Sequence, residues 1–126
     1  MTEADFIDII ITGNHTAKPP RKDGKNKEGQ DQFIITFSLS SNARPLWIEA
    51  FNRVAGEHSK QILSSPSSIV NDDQIQITCP LDDRLQGRLD DLKREVARTN
   101  QAYRAYLRAA EDEKHSHEEL LQRLLF

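Results

Sequence analysis

Cys79 closes an alternating segment just ahead of Pro80 and of a long helix-forming stretch, with Arg84 following closely. A thiol at a helix N-terminus beside an arginine is the arrangement that stabilises a thiolate for attack or for binding phosphate. The spacing to Arg84 is one residue short of what such a phosphate loop needs, and Asp82-Asp83 would repel the anion. Cys79 is therefore expected to be a buried strand cysteine. His115 and His117 lie among Glu111, Asp112, Glu113, Glu118 and Glu119, all metal-capable groups. On a helix, side chains two apart diverge, so only Glu111 with His115 or Glu113 with His117 could act together, too few ligands for a site. The aspartate pairs at 72-73, 82-83 and 90-91 read as a turn, a helix start and a solvated face. Gly24-Lys25 lacks the upstream glycine and following hydroxyl of a nucleotide loop. No nucleophile, base and oxyanion set assembles from these motifs, so an enzyme is not expected, and neither a cofactor nor a metal is implied.

The remaining chemistry is ionic. Lys18, Arg21, Lys22, Lys25 and Lys27 crowd a short segment against Asp23 and Glu28, the best candidate for an anionic partner such as a nucleic acid. No aromatic residue is interleaved to stack on a base, and the chain as a whole carries a net charge of −3 with a pI near 5.8. A charged, exposed hairpin loop is the simpler expectation. Arg94, Arg98, Arg104 and Arg108 read as a solvated outer helix face, and Trp47, Tyr103 and Tyr106 as core or seam residues.

Elements that could position these groups follow from periodicity. Ile7, Ile9 and Ile11 alternate through Asp5 to Thr12, which predicts a first strand. Gly13 to Gln30 holds two prolines, glycines and basic residues with little apolar content, and predicts a long loop. Gln32 to Ser40 predicts the best strand, with Phe33, Ile35, Phe37 and Leu39 on one face, paired with the first as a hairpin. Pro45 suits the first turn of a short helix that ends near Gly56 and turns Trp47, Phe51, Val54, Ala55 and His58 to one side. A loop with an extra helical turn at Ile62-Leu63, then Ile69-Val70, a polar turn and a strand through Ile75, Ile77 and Cys79, suggest a second hairpin. The order is β-β-α-β-α. The expected fold is α+β: a small, mostly antiparallel sheet covered on one face by helices, with residues 1–80 as head and 81–126 as a long C-terminal helix capped by Asp82 or Asp83.

That last helix carries the strongest pattern. Its a row is Leu89, Val96, Tyr103, Ala110, His117 and Leu124, and its d row is Leu85, Leu92, Thr99, Tyr106, Glu113 and Leu120. Apolar residues also enter flanking positions at Ala102, Leu107 and Ala109, which favours a bundle or a fold-back onto the sheet over a parallel zipper. From Arg84 to Arg108 there are seven basic and three acidic residues, whereas Glu111 to Glu119 holds five acidic and one basic. Opposite signs would meet in head-to-tail or antiparallel association. Glu113 and His117 interrupt the seam, so the helix is expected to fray or break near 111–117 before the apolar segment beginning at Leu120.

The function expected from these features is protein association, as a homo-oligomer or with a partner protein. The residues expected to carry it are Leu92, Val96, Tyr103, Tyr106, Leu107, Leu120, Leu121, Leu124, Leu125 and Phe126. The alternative is a nucleic-acid accessory role for the basic segment and the helix arginines. An acidic N-terminus and a longest apolar run of only Ile9 to Ile11 speak against an export signal or a membrane span, and the single cysteine suits a reducing cytoplasm.

Overall fold

Alternating side chains make the centre of this fold. In the computed structural model, which describes residues 2–14, 19–59 and 67–125 (without side chains at 57–59 and 67–71), strands β3 (Asp31–Leu39) and β5 (Gln74–Cys79) pair antiparallel. Their register sets Phe33 opposite Cys79, Ile35 opposite Ile77 and Phe37 opposite Ile75. Directly opposed residues share a face, so the odd-numbered apolar side chains of both strands gather on one side and are buried there, apart from half-buried Phe33. On the other face Gln76 Nε2 donates to Thr36 Oγ1 across the same pair of strands, at 3.1 Å.

β4 (Ser67–Asn71) covers the far edge of β5 by way of a turn at Asp72-Asp73, the expected second hairpin. The outer edge of β3 is shared end to end by two short strands, β1 (Ile11–Asn14) opposite Phe37–Leu39 and β2 (Arg21–Lys25) opposite Asp31–Ile34. The α+β class and antiparallel sheet are as expected, and the order gains two strands, with β1-β3-β5-β4 along the sheet and β2 joining β3.

β2 corrects the expected loop over 13–30. It has no apolar side chain to announce it, and it is held by the hydrogen-bonding edge of β3 and by a tight turn. Asn26 Oδ1 accepts the backbone N–H groups of Glu28 and Gln30, and Gly29 takes φ +78°, a conformation that favours glycine. Gly24, at φ +74°, sits where the β2 register slips between Lys22 and Lys25.

The first strand is also corrected. Only Ile11 onward joins the sheet; before it, a 3-10 turn (Glu3–Asp5) leads into an irregular stretch in which Phe6 and Ile9 are buried while Ile7 and Ile10 are 81% and 57% exposed. The period of two is lost because this stretch packs against a helix rather than a neighbouring strand.

Helix α1 (Pro45–Ser59) begins at the expected proline and buries Trp47, Ala50 and Phe51. Helix α2 (Leu85–Gln122) buries Leu92, Glu95, Val96, Thr99, Asn100, Tyr103 and Leu107, spaced three and four apart as one stripe. Both stripes join the odd face of the sheet in one core. Neither aspartate caps α2 by its side chain: Asp82 Oδ1 instead accepts the Arg84 N–H and Arg88 Nη1, closing the turn that precedes the helix. Nor does α2 break at Glu111–His117, a run that contains no glycine or proline.

One side chain ties these parts together. Asn100 Oδ1 accepts the Ile9 N–H at 3.1 Å and Trp47 Nε1–H at 3.0 Å, while Asn100 Nδ2 donates to the Ile9 carbonyl at 2.8 Å. All of this is buried, with Trp47 fully enclosed. Asn100→Ala strands two donors and one acceptor in the core, and should lower unfolding stability by about 3 kcal/mol or more. Urea denaturation checks this, and a midpoint equal to that of the unsubstituted chain would show that the amide does not brace the fold.

Candidate functional site

The groups that could do chemistry are dispersed or engaged. Cys79 is 1% exposed and uncharged for a physical reason: burial pushes its thiol pKa up, and the nearby Arg88 only partly opposes this. His115 and His117 stand on the exposed part of α2, each about 4.0 Å from a glutamate of its own helix, Glu118 and Glu113 respectively. Among the described residues no group of three or more His, Cys, Asp or Glu is placed to hold a metal. Two open grooves of about 410 and 230 Å³ flank the N-terminal stretch, one against Lys93, Val96 and Ala97, the other against Arg44, Trp47 and Tyr103. Neither brings together a nucleophile with a base.

Of the basic candidates, Arg21, Lys22 and Lys25 are exposed on β2, Lys27 is exposed in the turn that follows, and Lys18 lies outside the described residues. Lys22 Nζ is 3.5 Å from Asp31. Their place explains their charge, because lysines on an edge strand oppose pairing with the edge of another sheet.

Apart from Arg98, which is exposed as expected, the helix arginines are not a bare solvated face. Arg104 Nε donates to Asp8 at 2.8 Å and Arg104 Nη2 to the Phe6 carbonyl at 3.0 Å, with the guanidinium 5.0 Å above the Phe6 ring. Arg108 grips both carboxylate oxygens of Glu3, at 2.9 and 2.6 Å. Arg88 is bound to Asp82 and Arg94 to Asp91. Asn100, Arg104 and Arg108 recur every four residues on α2 and so form one polar ridge, along which the N-terminal stretch runs from Ile9 back to Glu3. Sequence spacing shows the ridge but not its partner, because the pairs span about a hundred positions.

The apolar seam is divided by this arrangement. Leu92, Val96, Tyr103 and Leu107, expected at an association surface, are no more than 6% exposed within the chain's own core. Their role is corrected to packing: the sheet, α1 and the N-terminal stretch already cover them. Beyond Leu107 the head ends. From Arg108 to Gln122, about four turns or 22 Å of helix, every residue is exposed save half-buried Glu111. At its base Tyr106 is 50% exposed, and at its far end Leu120, Leu121, Leu124 and Leu125 are 54% to 97% exposed. Phe126 lies outside the described residues. This overhang is the candidate site. No helix among the described residues is long and apolar enough to cross a membrane.

Compared with protein-family models, curated proteins and solved structures, the chain matches none of them.

The clamp at the base of the overhang has a pH signature. Hydrogen bonding from Arg108 holds the Glu3 carboxyl below the ordinary glutamate range. A depressed carboxylate pKa contributes to the folded form above its unfolded pKa, and that contribution is lost as pH falls through the folded pKa. Arg108→Gln should return Glu3 to an ordinary titration midpoint, read by NMR of its side-chain carboxyl. An unmoved midpoint would assign the shift to something other than this pair.

Proposed function

We propose that this chain is a non-enzymatic association module, in which an α+β head holds out the last four turns of α2 to pair with another protein chain. The observation that carries this is the overhang itself, a helix with leucines at its far end and, among the described residues, no surface of its own molecule beneath them. A helix of this length is marginal in water when nothing lies against it, and an apolar row on such a helix gains most by being covered. The head supplies what docking needs, a rigid base: the core below Leu107 fixes the direction in which the overhang leaves. A free, buried Cys79 is in keeping with a reducing compartment such as the cytoplasm.

Nucleic-acid binding through the helix has less support, since Arg88, Arg94, Arg104 and Arg108 are already matched by carboxylates of the same chain.

Leu121→Lys/Leu124→Lys removes apolar surface without touching the core, so the variant should fold with unchanged circular dichroism and lose its associations. Light scattering reports self-association, and affinity capture alongside the unsubstituted chain reports other partners. Identical mass and identical bound proteins for the two chains would end the proposal.

A further inference from the structure

We propose that the partner of the overhang is a second copy of this chain, bound antiparallel about a twofold axis at the level of His115. This rests on the association role proposed above and specifies its partner, direction and register.

In an antiparallel pair of heptad helices an a residue of one faces a d residue of the other, which restricts the axis to positions about half a heptad apart. With the axis at His115, each residue meets the one equally far beyond it. Ala110 then faces Leu120 and Glu113 faces His117, while Tyr106 lies level with Leu124 just past the helix end. Small is set against large in the middle of each half. The two polar residues that interrupt the seam are set against each other: an imidazole N–H donates to a carboxylate whether or not the ring is charged. The one unfavourable contact is Lys114 against its own copy across the axis.

The neighbouring registers fail on the structure. Half a heptad toward the head, Leu120 and Leu124 would have to reach Tyr103 and Thr99, which are 4% and 0% exposed beneath the chain's own head. Half a heptad the other way, Leu124 lies on Glu113 and Leu120 on His117, apolar against polar at both positions. The helix end agrees with the central register. α2 stops at Gln122, which falls opposite Arg108, the first residue clear of the head, so each copy's helix reaches the other's head without entering it.

Single cysteines at Gln101, His115 and Gln122, all on the outer face of the heptad, carry nitroxide labels on the full chain. Cys79, 1% exposed, is shielded from the reagent. An antiparallel pair centred on His115 gives axial separations of about 42, 0 and 21 Å at the three positions. Light scattering should show mass rising with concentration from 14.4 kDa toward twice that value, and Leu120→Lys/Leu124→Lys should hold it at the monomer. Equal separations at all three labels mean a parallel pair; they overturn the register and leave the association role standing. A chain that stays monomeric into the millimolar range overturns self-pairing, and the association role then survives only if a different partner is lost with the lysine variant. A dimer indifferent to those lysines overturns both.

Discussion

The buried amide of Asn100 is the constraint on which the rest of the structure depends. A carboxamide enclosed among Ile9, Trp47 and Val96 costs free energy unless its polar atoms are satisfied, and here three hydrogen bonds do so. Those bonds reach in two directions, to the N-terminal stretch and to α1. They fix how far α2 is rotated about its axis, because only one orientation brings the amide to both partners. Once that rotation is set, Leu92, Val96, Thr99 and Tyr103 are turned into the core, and the polar ridge of Arg104 and Arg108 is turned to the N-terminal stretch.

The ridge determines where the head ends. Residues 3–10 accompany α2 as far as the Glu3–Arg108 pair, and the cover over the helix stops with them. Phe6 is seated by an edge-to-face contact with Tyr103 at 4.8 Å and by the Arg104 guanidinium above its ring, so the clamp is partly apolar and not simply a surface ion pair. Below the clamp the heptad seam is core. Above it the same seam is surface, and the function proposed for the chain begins at that line.

How much was legible depended on how strongly each residue was committed by its neighbours in sequence. β3, β5 and α1 announce themselves, because Ile35, Phe37 and Leu39, or Trp47 and Phe51, repeat with the period of the element they form. β2 does not: Arg21-Lys22-Asp23-Gly24-Lys25 has no apolar period, and its strand conformation comes from the free edge of β3. The N-terminal stretch misleads in the opposite way. Its isoleucines alternate like a strand, yet Phe6 and Ile9 are the buried pair, since a helix and an asparagine amide are what they meet.

The sequence by itself determined that the last third of this chain is helical with an apolar seam, that the seam is interrupted at Glu113 and His117, and that an antiparallel sheet of alternating strands precedes it. Those are local properties, set by helix propensity, by the absence of glycine and proline after Gly87, and by side-chain period. Only the tertiary structure decided which part of the seam the molecule consumes itself. Tyr103 and Tyr106 are alike in type and adjacent in the heptad, but one lies under Phe6 and the other is half exposed. Burial is a property of what is packed over a residue, and here that cover is supplied by Glu3 to Ile9, at the opposite end of the chain.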